Sequence, residues 1–520
     1  MVDAESQPNL ARTSKDQMTA ATVAQVRGSG VLLVGRVFAL LSSGAVQVLL
    51  VRYLTKNDFG EFALGLAVAA IVQRLVSIGH GQCSARFLAL YDEARDYDRF
   101  YGLLFMVAGA VLSTALALLG MGLLFRAPLT ALLAHGDGRA MTLILLLVFY
   151  GATEALDDLL GNAFAVCSRP GAIFWRKYVL APGVRLGVAL AVVLLSGGVV
   201  VLAIGFLITG VLGVALYIWL LILALRARGL LAHFQVSHIR LPIRQVFGFG
   251  LPLVSIEIYN LALNSLGVLL LSVLDGPSAV ADLRAVVPLA ALNQMVIYTF
   301  TTLYNPLATR LAARRDLAAA SGAYWQTATW LAVLSFPVLA LTAPLARPVT
   351  TGLLGAQYTG SAPTLAMLSI GFYANAAFGF NIATLVAFGR VRYLMGVNLA
   401  CAVVCALLDI ALIPPLGALG VGVATSLTVL LQNVLAQAGL RAAAGIRFLE
   451  PRYAVTPLTV VGATGGLWIL QRALSPGVPL ALLLTGGAFL LLLAVNHRRL
   501  QVSTAFPELQ RIPLVRSFLS

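Results

Sequence analysis

The chain has 520 residues, 60% of them hydrophobic and only 11% charged, whereas a soluble domain is about half apolar and roughly a quarter charged. No water-soluble fold of this length hides so much apolar surface, so lipid is the expected solvent. The 35 Lys and Arg outnumber the 20 Asp and Glu, for a net charge of +15, which points to nucleic acid unless membrane topology accounts for the cations. Cys83, Cys167, Cys401 and Cys405 have neither zinc-ligand nor redox spacing, so no disulfide framework is expected.

A bilayer core about 30 Å thick takes about 20 apolar residues as a helix, and fourteen such stretches follow one another. They fall at 28–54, 59–80, 101–125, 141–167, 173–196, 199–225, 245–273, 279–305, 323–346, 361–388, 391–413, 418–440, 453–472 and 478–496. We number them spans 1 to 14. Residues 1–27 mix Asp3, Glu5, Arg12, Lys15 and Asp16 without an apolar core; they read as a cytoplasmic tail, not a signal peptide. The other divisions are a first lobe at 28–225, a linker at 226–244, a second lobe at 245–440, spans 13–14 within 441–496, and a cytoplasmic tail at 497–520. The fold class is thus an all-α polytopic membrane protein.

Cation placement gives orientation. The tails and the even-numbered loops hold twenty-five of the 35 Lys and Arg, Arg176 and Lys177 among them. The opposite face has Arg52, Lys56, Arg126, Arg139, Arg284, Arg347 and Arg472, and Arg36, Arg74 and Arg185 lie inside spans. Both termini are expected in the cytoplasm. A missed span would invert every later loop, so the asymmetry supports an even count. With the charge explained by topology, nucleic-acid binding is not expected.

Shifting the chain by 220 residues lays spans 1 and 2 on spans 7 and 8. Val48-Leu49-Leu50 falls on Val268-Leu269-Leu270, and Gln73-Arg74 on Asn293-Gln294. An offset of six spans keeps the copies parallel, about an axis along the membrane normal. Two pseudo-symmetric six-helix lobes, with two C-terminal helices appended, are expected.

Charge at the bilayer centre costs about 2.5–3.5 kcal/mol on insertion scales, so each such residue asks for an explanation. The first lobe has Arg36, Arg74 and Arg185, and on span 4 Glu154, Asp157 and Asp158. These either pair with one another, snorkel to the headgroups in the case of Arg74, or line a watery cavity. Glu257, Asn260 and Asn264 form one stripe of span 7, matched by Arg36, Ser43 and Gln47 on span 1; span 8 adds Asn293, Gln294 and Thr299, and span 10 Asn375 and Asn381. Such amides are either interhelical glue or a polar cavity wall. Asp409 reads as a helix-end residue of span 11. The histidines lie at span ends and in loops without ligand spacing, so neither metal nor cofactor is implied.

Three junctions carry a family resemblance. Arg52-Tyr53-Leu54-Thr55-Lys56-Asn57-Asp58-Phe59-Gly60-Glu61-Phe62 joins spans 1 and 2, Phe249-Gly250-Leu251-Pro252 lies in span 7, and Gly417-Ala418-Leu419-Gly420-Val421-Gly422-Val423-Ala424-Thr425 opens span 12. They resemble the polysaccharide-transporter (Wzx-like) branch of the MOP flippase superfamily, which includes MATE exporters and lipid II flippases. The resemblance implies a non-enzymatic flippase of the inner membrane, moving a polyprenyl-diphosphate-linked oligosaccharide outward by alternating access. It further implies a monomer in the lipid bilayer, working beside polysaccharide polymerase and glycosyltransferases. Arg36, Arg74 and Arg185 would hold diphosphate, and Ser43, Gln47, Asn260, Asn264, Asn293 and Gln294 would hold glycan. Glu154, Asp157, Asp158 and Glu257 would couple transport to protons. A lipid II flippase and a MATE-type drug or cation antiporter are the alternatives. A membrane glycosyltransferase would need acids on large outer loops, where only Asp137 stands.

Overall fold

The computed structural model describes residues 35, 38–77, 81–167, 174–235, 239–250 and 254–500. Arg36, expected to hold diphosphate, lies outside the described residues. Among the described residues the chain is helical without strands. Eleven of the described helices are long and apolar enough to cross a membrane, and Phe38–Tyr53 is a shorter apolar one. Gly138–Cys167, with its four charges, and Val455–Leu474 occupy the remaining expected positions. The fourteen-span plan therefore holds.

The chain divides into two compact units, Met1–Tyr53 with Leu75–Gly120 and Leu146–Gly250, and Leu54–Arg74 with Met121–Leu145 and Leu251–Ser520. In the second unit, the start of span 2 (Lys56–Ser77) follows from local chemistry. The Asp58 amide donates to Thr55 Oγ1 at 3.1 Å, and the Thr55 hydroxyl donates to Asp58 Oδ2 at 2.7 Å. Thr55 thereby satisfies a donor that the helix itself leaves open. Asp58 also pairs with Arg139, and Lys56 with Asp282 at 2.7 Å. Gly60 sits where any Cβ would strike the Pro277 carbonyl, so the Phe-Gly step of the motif is a helix-contact requirement. In span 12 (Ala418–Ala444), Gly420 likewise abuts the Leu412 backbone.

Two of the expectations need correction here. Residues 81–93, read as loop, form the helix Gly81–Glu93. Within the first unit Tyr91 donates from this helix to Gln245 Oε1 at 2.8 Å. Burial pushes the Tyr91 phenol above its ordinary range, opposed by Arg99 and aided by Asp96, so it remains a donor. Asp409 is not a helix-end residue. Span 11 continues to Leu416, and Asp409 is 1% exposed, accepting a weak bond from Cys405 Sγ at 3.9 Å.

Candidate functional site

In the second unit, span 7 does not run as one regular helix. Val254–Leu261 passes into a π-helical turn at Ala262–Leu266 and then Gly267–Asp275. π-Turns displace side chains from the regular 3.6-residue rows, and this one contains Asn264. Span 8 is interrupted similarly. Pro288 lacks the N–H that would bond the Arg284 carbonyl, and a 3-10 turn follows at Leu292–Gln294. That turn separates the fates of two adjacent amides. Gln294 lines a cavity, while Asn293 is fully buried and donates to Ala290 O at 3.0 Å and Thr342 Oγ1 at 3.1 Å.

The cavity has a volume of about 720 Å³ and lies wholly within the second unit. Asn260, Asn264, Gln294, Asn375, Asn398 and Gln432 supply amides to its wall, Tyr259 and Tyr298 phenols, and Arg74 a cation. The wall is internally braced. Tyr259 Oη donates to Gln432 Oε1 at 2.8 Å, and Gln432 Nε2 donates to Asn398 Oδ1 at 2.9 Å. Asn433 Nδ2 donates to Asn375 Oδ1 at 3.0 Å and is itself bonded by Asn381. Amides fixed in this way present donors and acceptors in set directions, the lining that a polyhydroxylated ligand needs.

Arg74 is paired within the second unit. Its Nη1 pairs with Glu257 Oε2 at 2.7 Å, with side-chain exposures of 32% and 20%, so the pair remains accessible.

In the first unit the two expected kinds of charge meet as ion pairs on spans 4 and 5. Arg185 Nη2 lies 2.6 Å from Glu154 Oε1, with its guanidinium 5.7 Å from the Tyr150 ring centre. Asp157 pairs with Arg176, which also stacks 4.5 Å from the Tyr217 ring. Arg176, counted above with loop cations, is in fact buried at 6% exposure in the π-helical start of span 5, Phe174–Leu180. Asp158 is exposed on span 4, Ser43 is exposed on span 1, and Gln47 is half-buried. The ion pairs are thus Arg185–Glu154 and Arg176–Asp157 within the first unit and Arg74–Glu257 within the second.

Residues 25–312, more than half of the chain, match the family model described as polysaccharide biosynthesis protein. The chain belongs to this family. No curated protein matches it. Among solved structures it is similar to a lipid II flippase MurJ in an inward closed conformation, at 15% identity and a TM-score of 0.69, covering 91% of this chain and 99% of that one. It is also similar to an inward-facing multidrug resistance MATE family transporter of the MOP superfamily, at 16% identity and a TM-score of 0.60, covering 78% and 95%. At such identities the likeness is one of fold, and it agrees with the MOP-type plan expected from the junction motifs.

Residues that sequence reading passed over include Tyr259, Asn398 and Gln432. The signal was present: Asn398 and Gln432 are uncharged amides within long apolar helices, the same anomaly that singled out Asn260.

Proposed function

We propose that the protein is a flippase that carries a polyprenyl-diphosphate-linked oligosaccharide from the cytoplasmic to the outer leaflet of the inner membrane. It would serve O-antigen or exopolysaccharide synthesis, with both termini cytoplasmic. The observation that carries this reading is the amide-lined cavity with Arg74 at its wall. Sugar hydroxyls suit fixed amides, and guanidinium forks suit phosphate oxygens. The MOP-type fold and the family's place in polysaccharide synthesis support it; the two solved relatives bear names of transport, not of catalysis.

In this scheme Asn260, Asn264, Gln294, Asn375, Asn398 and Gln432 receive glycan, and Arg74 and Arg185 receive diphosphate. Incoming phosphate displaces Glu257 and Glu154 from these arginines, and the freed carboxylates take up protons. An inside-negative potential adds about 2.3 kcal/mol per charge per 100 mV to outward anion movement. Asn293 is left with a packing role, since span 9 already engages its amide. A drug-cation antiporter would need a carboxylate for its substrate, whereas Glu257, the acid beside this cavity, is held by Arg74.

The test is transport by the full-length protein in liposomes, supplied with a fluorescent polyprenyl-diphosphate oligosaccharide, lipid II, or a cationic dye. The oligosaccharide is expected to cross at least tenfold faster than the dye and to respond to imposed pH or voltage steps. Faster transport of lipid II names the substrate of the alternative flippase. Dye movement without lipid movement rejects the flippase reading.

A further inference from the structure

The face on which spans 13 and 14 are joined, at Ser475–Gly477, carries few cations, and most of these are engaged. Lys56 and Arg139 form ion pairs, Arg284 donates to the Asn264 carbonyl at 2.9 Å, and Arg126 to Thr142 Oγ1 at 3.2 Å. Arg52 is also engaged. Arg347 and Arg472 differ: neither makes an ion pair or a side-chain hydrogen bond among the described residues. Both line the same cavity of about 630 Å³, formed between the end of span 9, the start of span 10 (helix Ala362–Ala377) and span 13. No acidic residue lines it, and the Gln471 Oε1 in its wall is buried without a partner. A second hollow of about 400 Å³ continues from Arg347, Gln471 and Ser475 toward Val478.

Two unpaired guanidiniums on one cavity select an anion, and their planar forks fit a tetrahedral phosphate. The surroundings select a lipid. Ile469 and Leu474, flanking Arg472 along span 13, are 70% and 54% exposed, and Leu353 beside the second hollow is 42% exposed. Trp468, which lines the cavity, is 44% exposed, as expected of indoles at the membrane–water interface. Only acyl or prenyl chains can cover such side chains while a headgroup occupies the cavity.

We propose that the Arg347–Arg472 cavity binds the phosphate headgroup of an anionic lipid, independently of the transport site. Both membrane phospholipid and polyprenyl diphosphate have this chemistry, and competition separates them. Full-length protein is purified, supplied with phosphatidylglycerol, and its retained lipids are counted by native mass spectrometry. The wild type is expected to retain one phosphatidylglycerol more than the Arg347→Gln/Arg472→Gln double variant. The Lys/Lys double variant, with charge but no fork, is expected to fall between. Should the double variant not fold, Arg472→Gln alone is expected to lower the occupancy of that one lipid. Displacement by polyprenyl diphosphate names the polyprenyl lipid as occupant, and resistance to it names phospholipid. Equal lipid counts in wild type and variants, or displacement by millimolar inorganic phosphate alone, overturn the proposal.

Discussion

Arg74→Ala is expected to reduce glycan export at least tenfold while the protein still inserts, and Glu257→Gln is not expected to rescue it. In the native chain the two residues pair with both side chains still partly exposed, and Arg74 stands in the cavity wall. Removal of the guanidinium takes away the counter-charge of Glu257 inside the membrane, where a charge costs about 2.5–3.5 kcal/mol on insertion scales. If Arg74 served merely to neutralise Glu257, the double variant Arg74→Ala/Glu257→Gln would recover export. If Arg74 holds phosphate, the double variant stays inactive. Glu257→Gln alone is expected to retain transport but to lose its response to a pH step. Surface glycan, normalised to protein in the membrane fraction, is the readout.

Arg176→Ala is expected to destabilise the first unit by about 3 kcal/mol, the lower end for breaking a buried ion pair because Asp157 keeps a quarter of its side chain exposed. The loss has two parts. Asp157 is left without its cation, and Tyr217 loses the guanidinium stacked on its ring. A combined Arg176→Met/Asp157→Asn variant is expected to regain most of the stability, since no unpaired charge remains. Arg185→Ala provides the contrast. Its pair with Glu154 is roughly one-third exposed on each side, so the stability change is expected to be about 1 kcal/mol or less, while export falls. Thermal unfolding of the purified protein separates the two. Equal melting of wild type and Arg176→Ala contradicts the structural role given to that pair.

The spans were legible because apolar length is a property of consecutive residues, and a helix end shifts little when its neighbours are unknown. The polar interior was legible only in part, because partners depend on rotation and local winding. Arg74 was visible as a charge in a span, but its partner lies 183 positions away. Arg176 stands beside Lys177 near a helix start, a pattern that reads as solvated; the π-helical turn that accompanies its burial leaves no mark in the hydropathy. Asn293 and Gln294 look equivalent in sequence, yet a 3-10 turn sends one into packing and the other to the cavity. Asp409 was misplaced for a simpler reason. Span 11, expected to end at 413, runs on through Pro414 and Pro415 to Leu416.

Glycan contact with the wall of the second-unit cavity is the claim on which the account rests. A photoreactive amino acid at Gln294, which lines the cavity, is compared with one at Val461, which is 69% exposed on span 13. Irradiation in membranes containing the lipid-linked oligosaccharide is predicted to give a glycan-bearing adduct at position 294 and little at 461, with the adduct lost when Arg74 is alanine. Absence of the adduct at 294, or equal labelling at both positions, would contradict the account.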